Sequence, residues 1–334
     1  MYATNEWDKL KKVIVGVADY ATMPPVEKDT RTINYAGVKP KKKLFGFGDE
    51  EYLPIKVGPF PEQVIAEANE DLEVFVRLLQ GEGVEVVRPK REPVKYYNYC
   101  PRDSVFVHSN LALATPMPLR SRRGEWKAMG EHLPNIVDMP CQYIEDLYNE
   151  DCIGNPDVLA LNEVTPAFDA ANILRANNDI LYLVSNSGNE LGSELLQNQL
   201  HEAGCDADVH LLRDVYSYSH IDTTIAFLRE GLLLANPSRL KDKDKLPGPF
   251  KNWDVIYCPE AIDIGSYPGY NNMSVWANMN LFSINPGLVA LEERQEPTRK
   301  LLESHGIECA MLPMRHQRTL SGGYHCVTLD LERG

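Results

Sequence analysis

The sequence predicts an α/β protein assembled by radial repetition, and three observations carry that expectation. First, four hairpin-like stretches recur at 104–114, 172–184, 223–235 and 278–291, turning at Ser109-Asn110, Asn177-Asn178, Glu230-Gly231 and Asn285-Pro286-Gly287. Second, those turns are spaced roughly 50–70 residues apart, and helical patterns follow some of them, as in units that each lean on their neighbours. Third, no Pro-, Gly- or Ser-rich linker divides the chain, so residues 1–334 read as one domain. An open α/β sheet is the alternative. Hairpins imply antiparallel pairing, which argues against a plain doubly wound topology.

Taken in order, Lys12-Val13-Ile14-Val15-Gly16-Val17 is β-branched enough for a first strand. A Pro- and charge-rich stretch then runs to about residue 60 and reads as loop, of a length that usually serves function. Its basic run, Lys39-Pro40-Lys41-Lys42-Lys43, is expected to be solvated. From Pro61 the period turns helical: Val64, Ala68, Leu72, Phe75 and Leu79 share a face, Pro61 suits the first turn, and Gly81 and Gly83 end it. A short strand follows at 84–87. Ser187-Gly188-Asn189-Glu190 reads as a capping box, opening a helix through Leu191, Leu195 and Leu196 that stops at Gly204. Another helix runs from Pro297 to about residue 305, closed by Gly306 and followed by a strand at 307–312.

Near the C-terminus, Ser321-Gly322-Gly323-Tyr324-His325-Cys326 leads into a strand at 326–331. Two glycines permit a positive φ or a close backbone approach, and they are expected to present Cys326 at the mouth of a pocket. The plain alternative is a buried small hydrophobe, since free cysteine is among the most buried residue types. His325 would face the opposite side of that strand, and it is left as structural together with His108 and His316.

Composition narrows the function. With 334 residues and 43% hydrophobic content the chain can bury a large core. A net charge of −14 and a pI near 5.1 argue against nucleic acid and against an anionic membrane surface. No apolar run approaches the ~18 residues of a membrane span. The start, Met1-Tyr2-Ala3-Thr4-Asn5-Glu6-Trp7, lacks the marks of a signal peptide, so a soluble cytoplasmic protein is expected. Seven dispersed cysteines without a C-x-x-C pair suggest reduced thiols. Without closely spaced Cys or His pairs, a helix-opening G-x-G-x-x-G or a Walker A sequence, neither metal nor nucleotide is expected, and no cofactor is assigned.

Three hairpins begin with an acid or a histidine: Asp103 within Cys100-Pro101-Arg102-Asp103, Asp169 within Phe168-Asp169-Ala170-Ala171-Asn172, and His220 and Asp222 within Tyr218-Ser219-His220-Ile221-Asp222. Singly each has a dull reading, as a turn acid, a cap, a surface carboxylate or a core histidine. In a radial repeat, equivalent positions converge at one end of the axis, so all four should meet Cys326. That set suits attack on a guanidinium carbon. Histidine can take and return a proton, and carboxylates accept the rigid N–H fork of guanidinium bidentately.

With those stretches, Pro118-Leu119-Arg120-Ser121-Arg122, Ser187-Gly188-Asn189-Glu190-Leu191-Gly192, Ala235-Asn236-Pro237-Ser238-Arg239 and Ser274-Val275-Trp276-Ala277-Asn278-Met279-Asn280, the chain resembles the arginine amidinotransferases throughout. The likeness is greatest to the inosamine-phosphate branch. The resemblance implies a five-bladed α/β propeller of ββαβ units, with Cys326 as nucleophile and His220 as acid/base oriented by Asp169. It implies Asp103 and Asp222 as guanidinium carboxylates, and Arg239 and Ser274 at the amino-acid end of arginine. Met273 stands where the family has a further serine. Glycine-specific relatives carry a methionine before the catalytic histidine, where this chain has Ser219 beside Tyr218, which implies an acceptor amine larger than glycine. The family also implies small-molecule substrates only and pairing as homodimers. Two other readings stay open: a guanidine hydrolase or deiminase with the same residues, and an inactive binding module.

Overall fold

In a computed structural model, which describes residues 1–42 and 51–334, five three-stranded sheets share one pattern, an antiparallel pair followed by a parallel third strand. In chain order these are Val105–His108, Leu111–Ala114 and Val137–Asp138; Ile173–Ala176, Asp179–Leu183 and Asp208–Leu212; Ile225–Arg229, Leu232–Ala235 and Asp254–Tyr257; and Phe282–Asn285, Leu288–Glu292 and Glu308–Leu312. The fifth is assembled from both chain ends, with Leu10–Val15 pairing antiparallel to Thr328–Arg333 and parallel to Glu85–Val87. The arrangement is a propeller-like α/β fold. The four sequence-contiguous hairpins fall where their turn residues place them: Ser109, Asn177 and Gly231 adopt left-handed φ angles, and Asn285 accepts the backbone N–H of Gly287 at 2.9 Å.

Helices supply the crossover in three sheets: Glu62–Gly81, Glu190–Glu202 and Glu296–Ser304. The other two cross over through short 3₁₀ turns. Helix Glu62–Gly81 buries Val64, Ala68, Leu72, Phe75 and Leu79, the face its period predicts. Phe75 meets Phe282 and Tyr324 edge to face at ring separations of 6.1 and 4.8 Å. The helix is thereby pinned beneath the turn that carries Cys326, and truncating such a ring costs ~3–5 kcal/mol. Two local expectations need correction. Pro61 is the cap rather than a first-turn residue, and helix Glu190–Glu202 is capped by Asn189, whose side chain accepts from Gly192 N at 3.0 Å, not by Ser187.

The stretch expected to be one long loop holds helix Lys28–Ile33 and the short pair Thr22–Met23 with Gly58–Pro59. Within its basic run, Lys39 is exposed and Lys43 lies outside the described residues. The C-terminal strand begins at Thr328, two residues later than its composition suggests, because residues 324–327 form a turn closed by Val327 N to Gly323 O and Thr328 N to His325 O. Among the described residues no helix is long and apolar enough to cross a membrane.

Candidate active site

Each sheet is entered through a tight turn: Asp103, Asp222 and Cys326 sit on such turns, Asp169 and Ser274 cap two of them, His220 stands just before another, and Arg239 follows the strand Leu232–Ala235. Pro101–Asp103, Ala170–Asn172 and Val275–Met279 are 3₁₀ turns, residues 222–224 form another turn, and 324–327 complete the set. The acids, the histidine and the cysteine come together. A carboxylate oxygen of Asp103, a ring nitrogen of His220 and the sulfur of Cys326 lie within 4.8 Å of one another. His220 Nε2 meets Asp169 Oδ2 at 3.0 Å, and Asp169 Oδ1 accepts the N–H of Ala171 at 2.9 Å. The Cys326 thiol donates to Asp222 Oδ2 at 3.0 Å. His220 itself holds a left-handed φ of 70°, an uncommon conformation for a residue with a Cβ, and its N–H is fixed by Asn172 Oδ1 at 3.1 Å.

One expectation fails at this centre. Cys326 is not presented at a pocket mouth: it is 0% exposed, packed in a cluster with Tyr99, Cys100 and Tyr324. A cavity of about 180 Å³ lies above it, lined among others by His220, Asp222, Ser219, Tyr218 and Ser274, so the neighbours of the sulfur reach the cavity while the sulfur stays beneath its floor. The glycine pair explains this. A Cβ on Gly322 would meet Cys100 Sγ at 2.5 Å, and one on Gly323 would meet the Asn280 backbone oxygen at 2.8 Å. The glycines let neighbouring protein, rather than a left-handed turn, close tightly around the thiol.

Several partners escaped the sequence reading. Asn280 clamps the cysteine twice, donating from Nδ2 to the sulfur and accepting from the Cys326 N–H, both at 3.0 Å. It precedes its hairpin as Asp103 precedes the first, which was a usable signal. Arg122, buried, pairs with one Asp103 oxygen and with Glu125 at 2.9 Å. It ends the stretch 118–122 that contributes to the family resemblance, but no periodicity marks its inward face. His325, expected to face away, reaches Asp222 Oδ2 through Nδ1 at 3.1 Å, because strand alternation does not hold inside a turn. Arg239 lies over the Tyr216 ring at 3.6 Å and reaches Ser274 Oγ at 3.4 Å.

The electrostatics divide the pair. Hydrogen bonding with Cys100, burial and the Asp222 charge hold the Cys326 thiol well above its ordinary pKa. Burial pushes the His220 imidazolium down, but the Asp169 and Asp103 carboxylates outweigh it and raise the imidazole well above the usual value. Burial opposes ionisation of Asp222, yet the His325 hydrogen bond and the positive charge nearby lower it to about 2. The resting site is therefore a thiol beside an imidazolium. Asp103 Oδ1 and Asp222 Oδ1 are both buried without a hydrogen-bond partner. Asp103, His220 and Cys326 are also the one set among the described residues whose donors lie close enough to meet a metal ion. Arg122 occupies one Asp103 oxygen and Asp169 one His220 nitrogen, which leaves that set few free donors.

No protein-family model matches the chain. Inosamine-phosphate amidinotransferase 1 of Streptomyces griseus is 37% identical over 349 residues, covering 98% of this chain and 96% of that one. The L-arginine:L-lysine amidinotransferase of Pseudomonas savastanoi pv. phaseolicola is 32% identical over 359 residues, with 98% and 93% covered. Among solved structures, the Streptomyces griseus inosamine-phosphate amidinotransferase matches at a TM-score of 0.90 and 36% identity, covering 99% of this chain and 96% of that one. An amidinotransferase of the saxitoxin pathway from Microseira wollei matches at 0.86 and 28%, with 99% and 97% covered. Similar along almost its whole length to enzymes that move an amidino group, this chain belongs to the amidinotransferase family and is a transferase.

Proposed function

We propose that the protein is an L-arginine:amine amidinotransferase working by ping-pong transfer through an amidino group on Cys326. The observation that carries this reading is the pair of buried, unpartnered carboxylate oxygens, one from Asp103 and one from Asp222, beside the Cys/His pair. Buried acceptors without donors are costly, and a planar cation with five N–H groups satisfies both. In this reading Arg239 and Ser274 hold the amino-acid end of arginine. The five sheets are five blades of a single domain spanning 1–334, and the chain pairs as a homodimer, which sedimentation velocity tests.

Guanidinium arrival places positive charge next to the sulfur and offsets Asp222, which favours release of the thiol proton to solvent in the cavity. The thiolate attacks the guanidinium carbon. The carbon–nitrogen bond to the ornithine side breaks, and the His220 imidazolium, oriented by Asp169, protonates the departing nitrogen. The neutral imidazole then takes a proton from the attacking acceptor amine, which restores the imidazolium, and the sulfur leaves as thiolate and takes a proton back from solvent. Because the sulfur lies under the cavity floor, entry of the guanidinium requires that floor to open, and the same cover keeps water from the amidino-cysteine.

Ser219 and Tyr218 line the cavity, and the small serine leaves room for an acceptor larger than glycine, such as an aminocyclitol phosphate or another amine of antibiotic or toxin biosynthesis. The related enzymes named for inosamine phosphate and for lysine support that size class. Guanidine-labelled arginine offered with a panel of amines tests this: the acceptor gains the label, and larger amines outpace glycine. Preference for glycine would sink the size argument. Urea, or citrulline with ammonia, formed without any amine would point to hydrolysis instead.

A further inference from the structure

The mechanism above leaves one buried titratable neighbour of the site without a task. His325 is 7% exposed, and its Nδ1 sits 3.1 Å from the same Asp222 oxygen that accepts the Cys326 thiol. Its other ring nitrogen, Nε2, is buried without a hydrogen-bond partner and lies 3.6 Å from Glu6 Oε2. A void of about 10 Å³, lined by Glu6, Asp222, Ser283 and His325 among others, adjoins it and is sized for a single water. His325 therefore stands between the reacting centre and the buried Glu6–Arg102–Arg175 ion cluster.

The two guanidinium carboxylates are held alike. Asp103 has Oδ2 engaged by Arg122 and Oδ1 unpartnered; Asp222 has Oδ2 engaged by His325 and the thiol, and Oδ1 unpartnered. In each case one oxygen is anchored and the other stays unpaired. We propose that His325 is a positioning residue for the arginine half-reaction: its Nδ1–H anchors Asp222 Oδ2 beside the sulfur and so leaves Oδ1 as the guanidinium acceptor. The depressed Asp222 pKa, to which the His325 hydrogen bond contributes after opposing burial, agrees with such an anchor. The inference rests on Asp222 gripping arginine, a reading tested separately by loss of arginine turnover in Asp222→Asn.

Two substitutions separate the two ring nitrogens. The amide nitrogen of asparagine falls near Nδ1 and that of glutamine near Nε2. His325→Asn should keep kcat/KM for arginine within about fivefold of the parent, whereas His325→Gln should lose about tenfold or more at a similar melting temperature. The loss should appear in ornithine formation and leave the KM of the acceptor amine unchanged. Equal losses in the two variants, or a loss shared by the acceptor half-reaction, would overturn the proposal. Should neither variant fold, ¹⁵N shifts of the histidine rings in the parent protein decide it. A proton on His325 Nδ1 supports the anchor, and an Nδ1 without one overturns it.

Discussion

Two clusters of buried charge lie side by side in this protein, and they are built on opposite principles. In one, Glu6 and Asp330 are bound by Arg102, Arg175 and Arg333: Arg175 Nε reaches Glu6 at 2.8 Å, Arg102 Nη2 reaches Asp330 at 2.9 Å, and Arg333 Nε reaches Asp330 at 2.8 Å. None of those five side chains leaves a buried polar atom without a partner. In the other, Asp103, Asp169 and Asp222 surround His220 and Cys326, and two carboxylate oxygens are left over. A satisfied cluster ties sheets together. One with spare acceptors has room for a further donor, which the proposed function supplies as the guanidinium. In the proposed function the contrast separates residues that hold the fold from residues that receive substrate, although burial alone distinguishes only the partly exposed His220.

Substitutions in the two clusters should therefore fail in different assays. Cys326→Ala is expected to remove ornithine formation, by on the order of 10⁴-fold or more in a coupled arginine assay, while far-ultraviolet dichroism stays that of the parent. Asp103→Asn should lower kcat/KM for arginine by about 10²–10³-fold with unfolding free energy changed by less than ~2 kcal/mol. Asp330→Ala should do the reverse. Leaving three arginines with one carboxylate costs about 3–5 kcal/mol in urea unfolding, with kcat per folded molecule within about threefold of the parent. An Asp330 variant with normal stability, or an Asp103 variant with normal turnover, would erase the distinction.

Smaller effects sharpen it. With the thiol held above its ordinary value, alkylation of Cys326 by iodoacetamide should keep accelerating as pH rises past about 9, the usual thiol value, without a plateau below it. A plateau near neutrality would mean a resting thiolate. Asp222 should leave a mark on stability. Its folded pKa of about 2 lies below the unfolded 3.8, so its contribution, on the order of 2 kcal/mol, is present above pH ~4 and lost as pH falls through about 2. Asp222→Asn should lack that segment of the acid unfolding curve.

What the sequence made legible was local and periodic. Asp103, Asp169, His220 and Asp222 precede hairpins whose turns are plain in composition, so their meeting could be inferred from repetition alone. What it hid is non-local. The fifth sheet escapes pattern reading because Leu10–Val15 and Thr328–Arg333 pair across nearly the whole chain. Arg122 enters from an irregular 3₁₀ segment with no period to mark its inward face. His325 departs from strand alternation because it lies in a turn, and the depth of Cys326 is hidden because close packing at Gly322 and Gly323 depends on Cys100 and Asn280, distant in sequence.

The central claim is that sulfur 326 carries the amidino group between two amines. The most direct test is to mix the protein with arginine in the absence of any acceptor, quench with acid, and weigh the peptide containing Cys326. The account predicts an amidino adduct on that cysteine together with one equivalent of ornithine, and discharge of the adduct when an acceptor amine is added. Arginine consumed with the cysteine unmodified, or ornithine still formed by Cys326→Ala, would contradict it.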